Sequence, residues 1–285
     1  MEDRVAATAD QPVDRFVAIG GRRHHYLEWP SKSDRTLLLA HGGFSSARGT
    51  WTRIAPALAD RYRIVAPDLR GHGETDWDPE AGYTLTQFAK DFERFAEQLG
   101  LTAFDLIGHS LGGLIALVYA ADHPESVRRL VLIDSGPREV SASVAGRRRM
   151  PERPLSFSSR EEAEAFARQS FPEGARGRSL EYGFIQRADG SWTWRTDVAG
   201  MARARIGEDL LRQRGLWPAF EALKCPTLIL IAGKSGFFDR TSAQRMSHAN
   251  RLALVRTYAD ANHWLHDDEP ERFVQDVRAF FDIDA

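Results

Sequence analysis

The sequence predicts an α/β protein built on a doubly wound, mostly parallel sheet, and three observations carry that reading. Short unbroken apolar runs recur at residues 36–40, 63–66, 104–107, 130–133 and 227–231. Runs that are apolar on both faces are what strands buried in a parallel sheet require. Stretches of helical periodicity lie between them, and alternating strands and helices imply right-handed crossovers within one sheet. The third observation is size: 285 residues, 42% hydrophobic and 27% charged, suit one large domain carrying an insertion.

The elements follow in order. Residues 1–13 are small, polar and Ala-rich, and read as a disordered leader. Residues 16–19 and 25–29 read as a hairpin turning at Gly20-Gly21. Helical patterns cover residues 51–60, 84–99 and 114–121, the last stopped before Pro124. The second of these buries Leu85, Phe88, Phe92, Phe95 and Leu99 at spacings of three and four. The alternation breaks at 137–217, too long for one structureless loop, so this stretch reads as a helical cap insertion. Within it, residues 161–169 have helical character and residues 190–194 suggest a small hairpin or turn. The core is then residues 14–136 and 218–285, closing with a strand near 252–258 and a helix over 270–281.

Composition excludes several classes of partner. A net charge of -2 gives no footprint for nucleic acid or an anionic membrane surface. No apolar run approaches the ~20 residues that span a bilayer. The first fifteen residues lack an apolar signal core, and the single cysteine, Cys225, permits no intrachain disulfide. A cytoplasmic protein is expected, as monomer or homodimer. No cluster has metal-ligand spacing and no Gly-rich loop precedes a Lys, so neither metal nor cofactor is expected.

The chemistry centres on Gly108-His109-Ser110-Leu111-Gly112, a G-x-S-x-G pattern set between a strand and a helix. In that context the serine occupies a strained turn that lifts its hydroxyl clear of the sheet edge. Side chains two residues either way would collide with neighbouring backbone. The helix beginning behind Ser110 brings N–H groups and a positive dipole end to developing negative charge. Ser110 is the candidate nucleophile and the Leu111 N–H a candidate oxyanion donor. The second donor is expected in His41-Gly42-Gly43-Phe44, after the run 36–40, from Gly43 with Phe44 the alternative.

Taken with these, Pro67-Asp68-Leu69-Arg70-Gly71-His72-Gly73 and Ala261-Asn262-His263 give the chain a specific resemblance to the α/β-hydrolase superfamily. It covers residues 14–283 and is closest to the capped esterase, lactonase and carbon–carbon hydrolase branches. The resemblance implies an eight-stranded sheet, a cap over the site and a Ser-His-acid triad. It places the base at His263, with His266 as rival. Asp68 and Arg70 are read as holders of a loop rather than as chemistry. Ser110 at the elbow excludes the aspartate-nucleophile branches. The pattern's acid would follow the seventh strand as Gly-x-x-Asp, but this chain has Gly233-Lys234-Ser235-Gly236 there. Asp134, ending the run 130–133, and Asp239, three residues past the vacant position, are the substitutes. Asp134 is preferred, because the end of a buried strand positions a carboxylate better than a loop of glycines and phenylalanines.

Phe44, Trp192 and Trp264 are the candidate substrate contacts among aromatics flanking the expected site, which favours a small apolar or aromatic ester or lactone. Carbon–carbon bond hydrolysis of a ring-cleavage diketone would use the same residues. A non-catalytic ligand receptor on the same scaffold is the reading from another class.

Overall fold

The computed structural model describes residues 11–137, 153–170, 181–204, 216–235 and 240–282. Its centre is an eight-stranded sheet. The strands are β1 (Val13–Ile19), β2 (Arg22–Trp29), β3 (Thr36–Ala40), β4 (Arg63–Pro67), β5 (Phe104–His109), β6 (Val127–Ile133), β9 (Thr227–Ala232) and β10 (Ala253–Tyr258). They run in the order β1-β2-β4-β3-β5-β6-β9-β10. The β1–β2 and β2–β4 pairs are antiparallel, and every pair from β4 through β3 to β10 is parallel. The hairpin turns where the sequence suggested, at Gly20 and Gly21, both with positive φ.

Continuous apolar strands in the sequence correspond to a sheet covered on both faces. Alternate residues divide between two cores: Leu38, Leu130, Leu132 and Ile229 enter one, while Leu37, Val131, Ile133 and Leu228 enter the other. On the first face lie α2 (Leu85–Gln98) and α3 (Leu111–Asp122). Thr84 starts α2 by accepting the Gln87 N–H, and the helix buries Leu85, Phe88, Phe92 and Phe95. The second face carries α1 (Ala47–Trp51) and α9 (Pro270–Phe281).

One expectation needs correction. Residues 51–60 do not form one helix: α1 ends at Trp51 and only a 3₁₀ turn, Ala55–Ala57, follows. Ser46 caps α1 by accepting the Gly49 N–H, so the helix starts early, and Pro56 offers no N–H to continue it. The segment between β6 and β9 carries helices and, around residues 190–194, the small hairpin the sequence suggested. Besides α4 (Arg160–Ser170), α5 (Val198–Arg203) and α6 (Leu216–Ala222), it contains an antiparallel hairpin, β7 (Phe184–Gln186) with β8 (Trp192–Trp194). Its alternate residues Trp192 and Trp194 share one hairpin face at period two. Phe157 pairs with Trp192 as a further bridge. After β9 come α7 (Arg240–Ala249), then β10, α8 (Leu265–Asp268) and α9. Among the described residues, no helix is long and apolar enough to cross a membrane.

Candidate active site

The ends of the parallel strands gather the candidate residues. Ser110 lies between β5 and α3 with φ 52° and ψ -116°, a conformation that side-chain-bearing residues rarely adopt. Its N–H donates to the Ile133 carbonyl at 3.0 Å, and its carbonyl accepts from Ser135 Oγ at 2.7 Å. The flanking glycines are required by space. A Cβ on Gly108 would lie 2.5 Å from the Gly112 carbonyl oxygen, and one on Gly112 would collide with the carbonyls of Ala40 and His41. Those contacts press the first turn of α3 against the end of β3.

Asp134 follows β6 directly, again with positive φ, at 44°. Its N–H donates to the Leu230 carbonyl at 2.7 Å, and its Oδ1 accepts the Ala232 N–H at 3.1 Å. Both bonds come from the neighbouring strand β9, so the carboxylate is held by sheet backbone. Its Oδ2 lies 2.6 Å from His263 Nδ1, and the Asp134 side chain is fully buried. The His263 carbonyl accepts from His109 Nε2 at 2.9 Å, and the two rings lie 4.7 Å apart. The imidazole is therefore bonded to a buried carboxylate and touches the residue preceding Ser110. A carboxylate bonded to Nδ1 fixes the orientation of the ring.

His266, the rival base, is completely buried beneath the site, against Trp51, His109 and Phe273. Asp239 and Gly236 fall outside the described residues.

The loop after β3 runs against α3: a Cβ on Gly43 would be 3.9 Å from Leu111 Cβ. Two buried histidines fasten this loop. His41 Nδ1 bonds the Gly42 carbonyl at 2.7 Å, while its Nε2 accepts the Leu69 N–H at 2.9 Å. His72 Nδ1 bonds the Arg70 carbonyl at 2.9 Å, and its Nε2 accepts the Phe44 N–H at 3.2 Å. Burial lowers the pKa of both rings, and His41 alongside helps bring His72 down to about 3. The sequence placed His72 in a tight turn and gave no sign of this contact, which spans 28 residues. Pairing of β3 with β4 brings the two loops together.

Asp68 and Arg70 hold the turn after β4, as expected from the sequence. Asp68 accepts N–H groups from Ala47 and Glu74 and bonds His25 Nδ1 at 2.7 Å. Arg70 grips Asp91 with two nitrogens, at 2.7 and 2.9 Å, and bonds Asp78 with a third.

Phe44, Trp192 and Trp264 are brought together. All three pack on an apolar cluster of Phe157, Ala163, Ala167, Phe184, Trp194 and Val198. The Trp264 ring also meets that of His263 edge-on at 5.1 Å. The Arg153 guanidinium, which sequence reasoning did not single out, stacks 4.3 Å over Phe44, and burial lowers its pKa to about 10. Trp217 belongs instead to the main core, with Phe220 of α6. Phe171, Phe237 and Phe238 lie outside the described residues.

The family model described as the alpha/beta hydrolase family matches residues 37–276. The chain belongs to the α/β hydrolase family. This hydrolase is 26% identical to the sn-1-specific diacylglycerol lipase ABHD11 of Mus musculus over 86% of the chain and 80% of that protein. It is 27% identical to esterase Rv0045c of Mycobacterium tuberculosis over 99% of the chain and 94% of the relative. Among solved structures, E-2-(acetamidomethylene)succinate hydrolase superposes with a TM-score of 0.81 at 26% identity, covering 95% of this chain and all of that one.

Proposed function

We propose that this α/β hydrolase is a serine hydrolase cleaving carboxylic esters or lactones of apolar or aromatic acyl compounds. Ser110 is the nucleophile, His263 the base and Asp134 the acid of the triad. The observation that carries this reading is the 2.6 Å contact between His263 and the buried carboxylate of Asp134, beside the strained elbow. A carboxylate in that position fixes the imidazole tautomer and stabilises its charged form, the duty of the third triad member.

In the proposed reaction Ser110 Oγ attacks the carbonyl carbon and its proton passes to His263 Nε2. Negative charge on the carbonyl oxygen is met by the N–H groups of Gly43 and Leu111. The imidazolium returns its proton to the departing alkoxide, leaving Ser110 acylated. A water molecule deprotonated by the same ring then releases the acid. The segment 137–217 would act as a cap, and its cluster against Phe44, Trp192 and Trp264 supports an apolar acyl group. The esterase and lipase relatives support an ester bond as the target. The buried free thiol of Cys225 suits a cytoplasmic location.

The test is turnover of short p-nitrophenyl esters together with labelling by a fluorophosphonate. Both should occur in the wild type and vanish in Ser110→Ala and His263→Ala. Turnover that survives Ser110→Ala would overturn the assignment. A wild type that neither turns over nor labels would point to the ligand-receptor reading, and faster cleavage of a ring-cleavage diketone to carbon–carbon hydrolysis.

A further inference from the structure

We infer that His72 is a positioning residue for the oxyanion loop, holding the Phe44 N–H so that Gly43 supplies the donor beside Leu111. The inference rests on the reading of Ser110 as nucleophile and concerns a residue that never touches substrate.

The loop offers two N–H groups on consecutive peptide planes, those of Gly43 and Phe44. The Phe44 N–H is occupied by His72 Nε2 at 3.2 Å. The Gly43 N–H shares its peptide plane with the Gly42 carbonyl, which His41 Nδ1 holds at 2.7 Å. In a trans peptide the carbonyl and the N–H point in opposite directions, so anchoring the carbonyl also aims the N–H. His41 thus orients one plane and His72 the next.

Phe44 supplies a second reason for the clamp. Its φ of 60° is unusual for an aromatic residue and persists only where the surroundings over-determine it. Without an acceptor for its N–H, the 43–44 peptide could relax toward ordinary φ and carry Gly43 with it. His72 is in turn fixed from behind, by the Arg70 carbonyl on its Nδ1. Arg70 is itself pinned between Asp78 and Asp91, so the ring stands on a buried ionic support.

The role demands one tautomer and one charge state. Nε2 must carry a lone pair to accept the Phe44 N–H, and Nδ1 must carry the proton given to Arg70. A protonated ring would put a donor against a donor. Burial keeps the ring neutral well below physiological pH. The groups facing it from neighbouring elements are His41 in edge contact, Phe88 of α2 and Asp68 across the turn.

Two variants and one measurement on the wild type test the inference. Asn at position 72 can still reach the Arg70 carbonyl but falls short of Phe44, whereas Gln carries its amide far enough to accept that N–H. With active sites counted by fluorophosphonate titration, His72→Asn should lower kcat by about 10-fold or more. That falls short of the 10²–10³ lost with a whole oxyanion donor. KM should stay within about two-fold, and a trifluoromethyl ketone should bind more weakly by the same factor as kcat falls. His72→Gln should recover most of the loss. Full kcat per titrated site in His72→Asn, with only a lower melting temperature, would overturn the inference. In the wild type, nitrogen NMR of His72 should show a neutral, Nδ1-protonated ring that does not titrate between pH 5 and 9. A ring protonated on Nε2 would overturn it even if neither variant folds. An active wild type with an unaffected His72→Asn removes only the clamp, whereas an inert, unlabelled wild type removes the hydrolase reading beneath it.

Discussion

The loops after β3 and β4 and the segment between β6 and β9 flank the same site but are held by different forces. The loops are fastened by buried polar groups: Asp68, Arg70, His25, His41 and His72 all lie below 5% exposure and all have hydrogen-bond partners. The intervening segment is held mainly by aromatic packing, with Trp194 in ring contact with Phe157, Phe166 and Phe184. Among its described residues, Asp197 and Arg195 anchor it to the core by polar contacts. Asp197 accepts from Tyr83 Oη at 2.7 Å and donates its N–H to the Gly71 carbonyl at 2.8 Å, and Arg195 pairs with Glu74. Hydrogen bonds fix direction and distance, which an oxyanion donor needs. Packing fixes volume and tolerates sliding, which the proposed acyl-binding surface could use.

The comparison predicts effects of graded size. The largest lies with the hydrogen-bonded carboxylate at the end of β6: Asp134→Asn leaves the carboxylate's shape but orients the wrong tautomer of His263. Steady-state kinetics should show kcat lower by about 10⁴ with KM little changed. Near-full activity would remove Asp134 from the proposed triad and return Asp239 to consideration.

On the packed side, Trp194→Ala empties the centre of the aromatic cluster and should cost about 3–5 kcal/mol in urea unfolding. Short esters should still turn over, while KM rises for bulky aromatic ones. Equal losses for both substrate sizes would show that the two regions are not separable. A smaller effect follows at the anchor between them. Asp197→Ala removes the side chain that accepts the Gly200 N–H at 2.8 Å and the Tyr83 hydroxyl, and should cost about 1–3 kcal/mol.

The smallest effect is on pH dependence, where two histidines of the polar region act oppositely. Burial opposes charge on His25, but its bonds to Asp68 and Asp14 outweigh it and raise the pKa. The stability His25 contributes is complete below about pH 6.5, the unfolded value, and is lost as pH rises through the raised folded value. For His72, depressed to about 3, the sign reverses: its contribution is complete above about pH 6.5 and declines as the unfolded chain takes up a proton on acidification. Urea midpoints between pH 4 and 9 should therefore peak near neutrality. His25→Asn should flatten the alkaline limb and His72→Gln the acid one. An unchanged alkaline slope in His25→Asn would remove the ionic account of that turn.

Much of this was legible in the residues. The apolar runs placed the core strands to within a few residues, because burial on both faces leaves a continuous signal. Gly108, Ser110 and Gly112 announced a strained turn, because only that geometry needs glycine on both sides of a serine. The aromatics flanking the site were visible, but the β7–β8 hairpin showed only as a small hairpin or turn at 190–194, since two three-residue strands give periodicity little length to register.

The sequence by itself determined the elements, the elbow and the identity of the candidate groups, because these depend on local sterics and on apolar periodicity. Only the tertiary structure decided which groups meet. Asp134 and His263 are 129 residues apart in the chain, and the β6–β9 register and the turn after β10 bring them to 2.6 Å. The same holds for His72 and Phe44. Pairing in a parallel sheet joins residues with long chain between them, so partners set by strand order leave no mark on either neighbourhood in the sequence.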